Sequence, residues 1–209
     1  MKKSLIVSAF FLGLLIAFAA VPASAGTLYD NSTVHSYTVG AEPFSNVFAV
    51  SDSFTLASDA TVVQIMFGDW VNSGYTLSSF NWAITTGAFS GSTLASGTVS
   101  SLDSSTYVGS LFGYDMYSDV FSISGLPLTA GTYYLQLGSA VTSGGNNANT
   151  FWDESDGSSS SQGNGDTFPS ETFALYGNSA PPVPEPSSLW LLGSGLAGLA
   201  GLIKRKLRA

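Results

Sequence analysis

The run Trp152-Asp153-Glu154-Ser155-Asp156-Gly157 sets three carboxylates and an indole within six residues. Three chemistries could use that combination. A pair of carboxylates flanking a glycosidic bond is the machinery of glycoside hydrolysis. Clustered hard oxygens from Asp, Glu, Asn and backbone suit Ca²⁺. An aromatic ring beside acids can stack on a sugar while the acids accept its hydroxyls, which would use Trp152 with Asp153 or Asp156. The surroundings weigh on each. Residues 143–166 are rich in Ser, Gly and Asn, the composition of a mobile loop and not of the rigid, partly apolar pocket that raises a general acid's pKa. The run does not follow the D-x-[DN]-x-[DN]-G-x₅-E frame of a helix-loop-helix calcium loop. The competing reading of Trp152 is bland: it plugs the end of a hydrophobic core.

Other catalytic constellations are thin. His35 is the single histidine, in a polar stretch, with no G-x-S-x-G elbow to accompany it. It reads as a solvated loop residue. There is no cysteine, hence no disulfide, thiolate nucleophile or thiolate-bound metal. Charge excludes more. Lys2 and Lys3 open the chain, and Lys204, Arg205, Lys206 and Arg208 close it, with all 14 acidic residues between them and no Lys or Arg among those acids. Nucleic-acid binding rests on cations that neutralise phosphates, so that class is excluded, and anionic headgroups and phosphorylated substrates fit poorly. No cofactor is expected, Ca²⁺ being the one ion the acidic run could hold.

The elements that must position these residues read as strands. Alternation of period two runs from about residue 27 to 177, with no helical stripe of useful length. Phe48, Val50, Phe54 and Leu56 share one parity, as do Val63, Ile65 and Phe67, then Phe80, Trp82 and Ile84. Phe112, Tyr114 and Met116 are followed by Phe121 and Ile123 on the opposite parity, which predicts a turn or bulge near Ser118-Asp119. Tyr133, Leu135 and Leu137 form a further strand, and Phe173 and Leu175 the last. Short strands punctuated by Gly, Ser and Asn predict an all-β, jelly-roll-like β-sandwich over residues 26–177, with a barrel as the alternative. Most aromatics sit at core parity. Ice binding would want a flat Thr-x-Thr array, which Thr85-Thr86 and the scattered others do not supply.

Both ends read as targeting segments. Residues 1–25 have the form of a signal peptide: Lys2-Lys3, an apolar run over 5–21, and an A-x-A cleavage site at Ala23-Ser24-Ala25. After a small-residue linker over 178–182 come Val183-Pro184-Glu185-Pro186, an apolar run over 189–203, and the basic cluster. Fifteen residues of helix span roughly 22 Å, short of a ~30 Å hydrocarbon core. Adding Ser187, Ser188 and a snorkelling Lys204 makes a marginal transmembrane helix over 187–203. The basic cluster would hold its end in the cytoplasm and put the β domain across the membrane.

These three parts in order resemble the PEP-CTERM sorting signal of Gram-negative bacteria, which implies recognition by an exosortase, cleavage near the motif, and delivery to the cell surface or extracellular polysaccharide matrix. The same tail also ends some proteins labelled as ice-binding. The Leu126–Leu135 stretch resembles a corner of secreted β-sandwich modules. With the 151–157 and 169–173 stretches, the middle of the chain resembles choice-of-anchor domains, a likeness that implies no activity. The expectation is an exported, non-enzymatic surface or matrix protein, carried by the Sec translocon, tethered to the membrane by its C-terminal helix before processing, and associated with exopolysaccharide. A carbohydrate-active enzyme and an ice-binding protein are the alternatives.

Overall fold

The computed structural model describes residues 25–31, 40–145, 149–157, 159–163, 165–179, 192–196 and 204. The chain divides into two units, Met1–Ser179 and Ala180–Ala209. In the second, residues 192–196 are helical and exposed, as is Lys204. Among the described residues no helix is long and apolar enough to cross a membrane. Residues 1–24, His35, the Val183–Pro186 motif, and Arg205, Lys206 and Arg208 lie outside the described residues.

The described residues of the first unit form strands joined by turns and bends, with no helix among them. Its elements are β1 (Gly26–Asp30), β2 (Ala41–Pro43), β3 (Ala49–Leu56), β4 (Ala60–Asn72), β5 (Leu77–Thr85), β6 (Thr93–Val99) and β7 (Ser104–Leu111). Then follow β8 (Tyr114–Leu128), β9 (Gly131–Thr142), β10 (Thr150–Ser155), β11 (Ser161–Gly163), β12 (Asp166–Phe168), β13 (Ser170–Glu171) and β14 (Phe173–Ser179). They make two antiparallel sheets, not one closed barrel. The six-stranded sheet runs β12-β11-β3-β9-β5-β6. The eight-stranded sheet is built on the long β4: β14 and β10 lie end to end along one edge, β8 along the other, with β1 beyond β14, β7 beyond β8, and β2 and β13 against β10.

Alternation predicts the core well where only one face of a strand is covered. Val50, Phe54, Leu56, Phe80, Ile84, Tyr133, Leu135, Leu137, Phe173 and Leu175 are all buried between the sheets. At the centre Phe44, Phe67, Phe80 and Phe121 pack edge to face, with ring centroids 5.1–6.3 Å apart. Such pairs add about 0.5–1.5 kcal/mol each beyond their area. Without disulfides, this core carries the fold.

Several expectations are corrected. No turn or bulge interrupts β8 at Ser118-Asp119; the bulge falls on its neighbour β7, at Val108 opposite Tyr117 and Met116. Met116 and Phe121 are both buried because both faces of β8 are covered. Phe121 joins the core, while Met116 lies on the other face with Trp70, Tyr114 and Phe151. Phe112 is exposed, since Phe112-Gly113 form the two-residue β7–β8 turn with φ of 51° and 85°, the geometry of a primed hairpin turn. Phe48 precedes β3 and is also exposed. A register shift between Val62 and Gln64 turns Val62, not Val63, into the core. β14 runs to Ser179, two residues past the expected boundary.

Candidate functional site

The acidic run at 152–156 is not a loop. Residues 150–155 form β10, hydrogen-bonded to β4, β2 and β13. Polar side chains survive inside a sheet when each finds a partner, and these do. Trp152 is fully buried, its indole N–H donating to the Thr172 carbonyl at 2.9 Å. Asp153 accepts from Trp70 Nε1 at 2.7 Å and Thr172 Oγ1 at 3.2 Å. Glu154 accepts from the Gly40 amide at 2.7 Å. Asp156 alone is exposed. The ring of Trp152 packs on Phe173 inside the core and has no exposed face. Among the described residues no group of three or more metal-ligating side chains stands close enough to hold an ion.

The strand does bring acids together that the sequence keeps apart. Glu154 faces Glu171 across the β10–β13 pairing, and Glu42 on β2 lies beside Glu154. Asp52 on β3 sits close by, accepting from the Glu171 and Ser53 amides at 2.6 Å each and from the Ser170 and Ser159 hydroxyls. Burial, followed by the field of Glu154, pushes the Glu42 carboxyl up to about 7. Burial pushes Asp52 up to about 6 against the pull of those four donors. Asn31 ties the cluster to the first strand, donating to the Glu171 carbonyl at 2.8 Å and to Ser170 Oγ. Gly157 leaves room for the Asn31 amide: a Cβ there would lie 1.5 Å from Asn31 Oδ1 and push that side chain off its hydrogen bonds.

A different surface carries a shallow, open groove. On the outward face of the six-stranded sheet, side chains that alternate with the core line a groove of about 450 Å³. Its floor is small because the strands carry Ala49, Ala83 and Gly138 at adjacent positions, Gly138 paired to both Ala49 and Asn81. A Cβ on Gly138 would come within 3.0 Å of the Ala49 Cβ. Amides and hydroxyls make its sides. Thr98 Oγ1 donates to Asn81 Oδ1 at 2.7 Å, which leaves the Asn81 NH₂ as donor to the groove. Gln136 donates its NH₂ to Thr85 Oγ1 and the Ala88 carbonyl, leaving its own oxygen as acceptor. Ser96 and Ser139 complete the polar lining, and no carboxylate is part of it. A row of neutral donors and acceptors on a shallow floor suits hydroxyl-rich ligands. The sequence carries a faint signal for it, outward-parity amides on two neighbouring strands, but gives no cue to the groove itself.

The tail matches a described sorting motif. The family described as the PEP-CTERM protein-sorting motif matches residues 182–206, taking in Val183, Pro184, Glu185, Pro186 and the basic Lys204, Arg205 and Lys206. No curated protein matches the chain. The motif indicates exosortase-dependent processing, export and sorting to the cell surface or extracellular space.

Proposed function

We propose that this exosortase-sorted chain is a non-enzymatic surface or matrix component that associates with extracellular polysaccharide through the groove on the outward face of its six-stranded sheet. The observation that carries the reading is the lining: Asn81, Gln136, Ser96 and Thr98 offer neutral donors and acceptors, while the buried acids of the domain stand elsewhere. A polysaccharide of either neutral or anionic character meets no carboxylate there. The remaining steps of the reading follow from the residue pattern. Residues 1–25 direct the chain to the Sec translocon and are removed after Ala25, and the apolar segment over 187–203 tethers it to the membrane until processing.

The test is a pull-down on extracellular polysaccharide comparing the exported protein with a Ser96→Trp variant. Ser96 is exposed, so the bulky ring fills the groove without entering the core. Retention several-fold weaker at unchanged Tm supports the proposal; equal retention removes it. One observation favours a second reading, a carbohydrate-active enzyme. Glu42, pushed up to about 7 beside Glu154, has the acidity a general acid needs near neutral pH. Release of reducing ends by the protein, lost in Glu42→Gln, would establish that reading instead.

A further inference from the structure

Among the described residues four buried carboxylate oxygens have no hydrogen-bond partner, and three of them stand together: both oxygens of Asp69 and Oδ1 of Asp119, the fourth being Oε2 of Glu171 elsewhere in the domain. Both residues are almost fully enclosed, at 0% and 1% exposure. Their position follows from the register. Asp69 on β4 pairs with Tyr117, and Asp119 on β8 pairs with Phe67, so the two acids are diagonal neighbours on adjacent strands, facing the inside of the sandwich. Diagonal neighbours are roughly 7–8 Å apart at their backbones, close enough for two short side chains to meet. Leaving a buried group unsatisfied costs about 1–3 kcal/mol, and more when it is charged. Two such groups side by side need a common partner, and between Lys3 and Lys204 the sequence offers no Lys or Arg.

We infer that Asp69 and Asp119 hold a divalent cation between them, with Ca²⁺ the ion their chemistry fits. Calcium takes six to eight hard oxygens at about 2.3–2.6 Å and tolerates irregular geometry and water ligands. Two carboxylates supply up to four oxygens and balance the ion's charge. The neighbouring Ser105 hydroxyl, paired across from Asp119 and hydrogen-bonded to it, can supply another, and water the rest. Access lies on the β7 side, where Ser105 is exposed and Tyr107 is 57% exposed. Asp153 adds negative potential at Asp69. This site is distinct from the Glu42–Asp52–Glu154–Glu171 cluster, where amides and hydroxyls satisfy both oxygens of Asp52 and one each of Glu154 and Glu171, and a single oxygen, Glu171 Oε2, is buried without a partner.

Trp152 lies directly across from Asp69, so the site has a built-in reporter. Tb³⁺ added to the full chain should give indole-sensitised emission that Ca²⁺ displaces, and millimolar Ca²⁺ should raise the Tm by several degrees over chelator. Asp69→Asn and Asp119→Asn, which neutralise the acids at nearly constant shape, should each weaken Tb³⁺ binding at least tenfold. Glu42→Gln with Glu154→Gln should leave it in place. Absence of both sensitised emission and a Ca²⁺-dependent Tm in the wild-type chain overturns the inference without any variant. A Ca²⁺ effect that survives Asp69→Asn, or is lost only in the Glu42/Glu154 variant, overturns it as well.

Discussion

The indole of Trp152 stands at 64° to the ring of Phe173, with centroids 5.7 Å apart, and its N–H is held by the carbonyl of Thr172 at 2.9 Å. That relationship joins β10 to β14 across the point where they meet end to end along β4. Trp152→Ala should therefore destabilise the domain by about 3–5 kcal/mol through the cavity it leaves. Trp152→Phe should keep most of the packing and lose about 1 kcal/mol with the hydrogen bond. Chemical denaturation of the two variants checks the ranking, and a Trp152→Ala cost below that of Trp152→Phe would contradict it.

Stability should fall as pH rises. Glu42 is pushed up to about 7, and Asp52 and Asp119 to about 6, with burial the first cause in each case. Burial also raises Asp69 and Glu171 well above the carboxylate range. In the unfolded chain these groups titrate near pH 4. The folded state thus binds protons more tightly, and its advantage is complete below about pH 4 and lost as pH climbs through 6 to 7. In chelator, Tm should be several degrees higher at pH 4.5 than at pH 8. A Tm that rises with pH across this window would count against the buried-acid account.

Gly177 marks another strict position. A Cβ there would fall 1.9 Å from the Thr61 carbonyl oxygen, and both atoms belong to the paired backbones of β14 and β4. Neither can move without parting the strands. Gly177→Ala should cost about 1–3 kcal/mol, as overpacking does, whereas the same change at Gly26, with open space around it, should be neutral. Thermal melts of the pair test this directly.

Processing gives the next expectation. In an exosortase-bearing cell the extracellular species should lack residues 1–25 and the segment from about 187 onward. Replacing Pro184 and Glu185 together should leave the tail attached. Intact-mass measurement decides the matter, and a secreted wild-type species still ending in 204–209 would contradict it.

Sequence alone was a good guide where water covers one face of a strand. Val50, Phe54 and Leu56, or Tyr133, Leu135 and Leu137, alternate with polar neighbours because only one side meets the core. It misled where both faces are covered: Met116 and Phe121 are buried on opposite sides of one strand, and their conflicting parity imitates a bulge. It also misled at β10, where Asp153 and Glu154 look like loop residues until Trp70 and the Gly40 amide, 83 and 114 positions away, come into view as donors. The groove was the least legible part. Its floor is Ala and Gly, whose small size says nothing until strands lie side by side. The sorting tail was the most legible, since its order along the chain is the signal.

The pairing of Gly26 with Gly177 puts the start of the domain beside its end. β14 is clasped on both edges, by β1 and by β4, and it is the strand from which the tail continues. Load reaching Ser179 is therefore passed first to the two ladders of hydrogen bonds that β14 makes with β1 and β4. A domain held by this end is thus gripped through its first and last strands together.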